Sequence, residues 1–75
     1  MNTKKENFIR ISENRIAKIQ QLISQLTNLS NSSFYEYTDE EIIKMFNIIE
    51  LETKNAKNFL LKANEKKRKN KRFEL

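Results

Sequence analysis

The chain has no cysteine, histidine, glycine or proline. Without cysteine there is no disulfide and no thiolate metal site. Without histidine there is no imidazole proton shuttle, no imidazole ligand for zinc, and no Ser–His or Cys–His nucleophile pair. Without glycine, phosphate-cradling loops of the P-loop or dinucleotide-binding type are excluded. Tight hairpin turns also lose their default residue. Without proline, nothing forbids a long uninterrupted helix. These absences remove most of the usual catalytic apparatus, so the sequence reads as a non-enzymatic protein that needs no cofactor and no metal.

Long apolar runs are missing too. No stretch approaches the ~20 residues of a membrane span, and the opening MNTKKENFIR is not followed by the apolar run of a signal peptide. The expectation is a soluble, cytoplasmic product with no membrane partner. On that expectation the glycosylation patterns at Asn28-Leu29-Ser30 and Asn31-Ser32-Ser33 are chance matches. A chain of 75 residues buries only a limited core and leans on a staple or a partner.

What remains is helical patterning. Ile9, Ile16, Ile19, Ile23 and Leu26 recur at alternating heptad spacing, with Ser12 in the one polar slot. Leu22 and Leu29 widen the stripe, and Phe8 and Ile11 extend it at the other end. This predicts a helix over about 5–28. Phe8 to Ser12 could instead form a short strand ahead of a helix, as in ribbon-helix-helix DNA binders. The alternation covers only Ile9 and Ile11, however, and the continuous heptad pattern favours helix.

Residues 29–38 form the predicted connection. Asn and Ser cluster there because their side chains compete with the helical backbone for hydrogen bonds. Phe34, Tyr35 and Tyr37 interrupt this polar run. They serve either to close the end of the apolar seam, with the tyrosine hydroxyls in water, or as a stacking or partner-binding patch.

Thr38-Asp39-Glu40-Glu41 is a helix start. Thr38 and Glu41 have capping-box spacing, and Asp39 and Glu40 suit the positive end of a helix dipole. As metal ligands, Glu36, Asp39, Glu40 and Glu41 lack the spacing of a calcium loop and already have this capping role.

The run Asn28-Leu29-Ser30-Asn31, followed by Ser33, Tyr35, Tyr37 and Thr38, resembles a motif of short helical proteins from bacteria and mobile elements. In those proteins a basic helix leads into NLSN, an aromatic YxYT comes next, and a second amphipathic helix ends near a Lys-rich segment. The likeness spans roughly Glu6 to Phe59. It implies a two-helix layout and carries no activity with it.

The second helix is predicted from 39 onward, with Ile42, Met45, Ile49, Ala56, Phe59 and Ala63 on its seam and Glu52 at one inward slot. Two long helices and a short loop predict an all-α antiparallel hairpin over 1–61, in which Leu26 meets Ile42, Ile23 meets Met45 and Ile19 meets Ile49. Ile48, Leu51, Leu22 and Leu61 then face outward, and pairing two hairpins as a four-helix bundle would cover them. The expected state is a homodimer, with a different protein partner as the second possibility.

Charge is segregated. Residues 1–61 carry eight basic and eight acidic side chains, whereas the extension 62–75 carries seven basic and two acidic ones. Lys62, Lys66, Lys67, Arg68, Lys69, Lys71 and Arg72 therefore supply the whole net charge of +5. One or two of them suit a helix C-terminus; seven suit a phosphate backbone. The expected function is binding of DNA or RNA phosphate through this tail, without strong sequence specificity. The alternative is a helical adaptor or inhibitor, docking through Phe34, Tyr35, Tyr37, Ile48 and Leu51.

Overall fold

A computed structural model describes residues 3–73, with side chains through Lys67. Its elements are α1 (Thr3–Leu26), a 3₁₀ turn (Thr27–Ser30) and α2 (Asp39–Phe73). Among the described residues there is no strand, and the class is all-α. The chain divides into two units, Met1–Glu36 and Tyr37–Leu75.

In the first unit, α1 takes in Phe8 to Ser12, so the strand alternative fails there. Ser12 is half-buried, and its hydroxyl donates to the Ile9 carbonyl at 3.1 Å. A polar residue is tolerated at this stripe position because its donor is satisfied inside its own helix. The α-helix stops at Leu26, two residues short of the predicted end at about 28. Thr27 Oγ1 donates to the Ser24 carbonyl at 2.6 Å, and the backbone tightens into the 3₁₀ turn. Asn31 then leaves helical geometry with ψ 100°.

Asn31 also organises the turn beyond it. Its Oδ1 accepts the Ser33 amide at 3.0 Å, an Asx turn. Its carbonyl accepts the amides of Phe34 at 3.1 Å and Tyr35 at 3.0 Å. A polar segment that has left the helix thus satisfies its amides locally.

The second unit begins at the cap. The Thr38 amide donates to Glu41 Oε1 at 3.0 Å, and the Glu41 amide donates back to Thr38 Oγ1 at 3.2 Å. The first α2 backbone bond runs from the Ile42 amide to the Thr38 carbonyl at 3.2 Å. Asp39, Glu40 and Glu41 fill the first turn, where their charge complements the dipole. With no proline or glycine to break it, α2 continues for 35 residues and carries its backbone through the basic segment.

Among the described residues none is fully buried. Ile42, Met45, Phe46 and Ile49 are half-buried at i, i+3, i+4 and i+7 spacing, so the best-covered stripe of α2 includes Phe46, which the narrow seam left out.

Candidate functional site

Two surfaces carry chemistry that the fold itself does not consume. The first is the basic end of α2. Lys62, Lys66 and Lys67 are exposed. Arg68, Lys69, Lys71 and Arg72 lie on the same helical backbone, and their side chains fall outside the described residues. Lys62, Lys66 and Lys69 follow one another at steps of four and three residues, which is the spacing of one helix face. The backbone that carries the basic residues through Arg72 is therefore a helix rather than a coil. That arrangement can neutralise several phosphates of one backbone together.

The second surface is apolar. On α2, Ile48 is 70% exposed and Phe59 is 74% exposed, with Leu51, Leu60 and Leu61 also open. The heptad spacing had assigned Phe59 to the covered seam. Ile43, also exposed, was not singled out by that spacing, because it lies off the a and d positions. Its signal was only that of a large apolar residue where a solvated face calls for a polar one.

The aromatic connection sits apart from both surfaces in sequence. Phe34 is 80% exposed, Tyr35 and Tyr37 less so. The Phe34 and Tyr35 rings lie 6.5 Å apart at 58°, within the range of a tilted aromatic pair. Acidic side chains crowd the adjacent helix start. Glu41 is engaged in the cap. Among the described residues no group of three or more His, Cys, Asp or Glu side chains is placed to hold a metal ion. Asn31, in the second glycosylation pattern, uses its side-chain oxygen for the turn. No described helix is long and apolar enough to cross a membrane.

Comparison with known proteins adds nothing to these surfaces: no protein family, no curated protein and no solved structure matches the chain.

Proposed function

We propose that this protein is a small non-enzymatic accessory factor that self-associates through its helices and holds nucleic-acid phosphate with its basic C-terminal segment. The observation that carries the reading is the placement of the entire net charge of +5 in the last fourteen residues, on a helix that runs on past Ala63. Capping one helix end needs one or two cations, not seven. The phosphate contacts are electrostatic and largely indifferent to sequence. α1 and α2 fold back as an antiparallel hairpin, and two hairpins pack as a four-helix bundle that brings two tails together and raises avidity. The protein works in the cytoplasm.

A second reading draws support from the exposed Ile48 and Leu51 on α2 and from Phe34 in the connection. In it the chain is an adaptor or inhibitor that docks an apolar helix face onto a different protein.

The deciding experiment titrates full-length protein and a 1–65 truncation against labelled duplex DNA, single-stranded DNA and structured RNA, at low and physiological salt. The nucleic-acid reading expects binding that depends on the tail and falls steeply with salt. Absence of binding by the full-length chain at low salt would overturn it and favour the adaptor.

A further inference from the structure

α2 has a polarity that survives its length. Its first turn holds Asp39, Glu40 and Glu41, and its last third holds the basic run from Lys62. Between them stand Ile48 and Phe59, both largely exposed. Glu41, Ile48, Phe59 and Lys66 are separated by steps of 7, 11 and 7 residues. Each step is close to a whole number of turns at about 3.6 residues per turn, so the four residues lie along one stripe of the helix. The stripe reads acid, apolar, apolar, base, and it is symmetric about the point between Thr53 and Lys54.

We infer that this stripe is the contact surface for the α2 of a second copy of the chain, running antiparallel. A two-fold axis at the centre of the stripe sets Ile48 of each copy against Phe59 of the other, and Glu41 against Lys66. A parallel pairing would instead stack the acidic turns on each other and the basic runs on each other, and like charges disfavour it. Shifting the antiparallel register by one heptad would set Ile48 against Lys66 or Phe59 against Glu41, which leaves an apolar side chain facing a charge. Charge complementarity and apolar matching therefore select the same occupant, orientation and register.

This inference rests on the self-association proposed above and fixes its geometry. It also places Glu41 of one copy beside Lys66 of the other, so the interface and phosphate draw on the same lysine. The more carboxyl-terminal cations remain for phosphate.

Because the chain has no cysteine, single-cysteine variants report orientation cleanly. Sedimentation first establishes whether the unmodified chain is a dimer, in the absence of nucleic acid. Spin labels on Lys44→Cys should then lie about 30 Å apart, since each is roughly ten residues from the two-fold axis at about 1.5 Å per residue. Asn55→Cys, close to the axis, should crosslink to its counterpart on mild oxidation, while Lys44→Cys should not. Register is tested by charge removal. Glu41→Gln, which keeps the capping box, and Lys66→Gln should each weaken dimerisation, by roughly two- to thirtyfold for two copies of an exposed pair, and the double variant should lose little more than either alone. Circular dichroism confirms that each variant keeps its helix.

A short Lys44→Cys separation or its ready crosslinking would overturn the antiparallel orientation while leaving self-association intact. Additive losses in the double variant would overturn the register. A monomer at tens of micromolar would overturn self-association and this inference together. Nucleic-acid binding is measured separately and can stand or fall on its own.

Discussion

Glu41 and Thr38 hold each other through three hydrogen bonds: the Thr38 amide and hydroxyl both donate to Glu41 Oε1, at 3.0 and 3.1 Å, and the Glu41 amide donates to Thr38 Oγ1 at 3.2 Å. Reciprocal capping of this kind satisfies two amides that a helix start would otherwise leave to water. It fixes where α2 begins, and therefore which residues fall on its seam. Thr38→Ala should destabilise the protein by about 1 kcal/mol. In a domain of this size that lowers the melting midpoint by about 4–8 °C. Thr38→Asn, which can still accept from the helix, should recover most of the loss. Melts at one matched concentration check this, and an unchanged midpoint for Thr38→Ala would mean that the cap contributes nothing to the folded state.

The cap was legible in the sequence because its signal is local: two residue types, three apart, ahead of an apolar run. The helical class was legible for the same reason, since heptad spacing and the missing breakers act within each segment. The end of α1 was less so. The apolar spacing continues through Leu29, but Thr27 bonds back to Ser24, and Asn31 collects three backbone amides in a turn. Those hydrogen bonds stop the α-helix at Leu26 before the stripe runs out. The direction of Phe34 was not legible either. The sequence left open whether the aromatics close the seam, and which way a loop side chain points depends on turn dihedrals that no periodicity encodes. Phe46 is half-buried and Phe59 exposed because cover within one helix comes from each side chain's neighbours three and four residues away, whereas a/d counting treats the stripe as a line.

Asn31 should matter more than its exposure suggests. Its side chain holds the Ser33 amide, and its carbonyl holds those of Phe34 and Tyr35. Asn31→Ala removes only the side-chain bond. It should cost about 0.5–1.5 kcal/mol and speed hydrogen exchange at the Ser33 amide, with the helical amides of α2 unaffected. Phe34→Ala, which removes a side chain 80% exposed, should shift stability by less than about 0.5 kcal/mol. A large loss from Phe34→Ala would show that the ring packs against a partner surface in the folded state.

Salt dependence can count the cations that meet phosphate. The logarithm of affinity for duplex DNA should fall linearly with the logarithm of salt, and each neutralised phosphate contributes about 0.9 to the slope. Lys69→Ala should therefore reduce the slope by about one, whereas Lys18→Ala, on α1, should leave it unchanged. Glu41→Gln should raise affinity, because it takes away a carboxylate that competes with phosphate for Lys66. Equal slopes for all these variants would mean that binding does not run through the tail.

Concentration should govern folding itself. In proteins most helical stability comes from packing of an amphipathic face rather than from propensity, and among the described residues none is fully buried. If the apolar side chains of α2 gain their cover by the association proposed above, stability is coupled to the concentration of partners. For a dimer, each tenfold increase in concentration favours the folded state by about 1.4 kcal/mol. With about 2.1 cal/mol/K per residue over two chains, the melting midpoint should rise by roughly 4 °C. Ile48→Asp places a charge against Phe59 of the second copy, so it should lower the midpoint and lower helicity at micromolar concentration. Circular dichroism melts from about 1 to 100 μM separate the cases: a midpoint that does not move with concentration would mean that each chain covers its own apolar faces or leaves them in water, and a second copy would then have no surface left to bury.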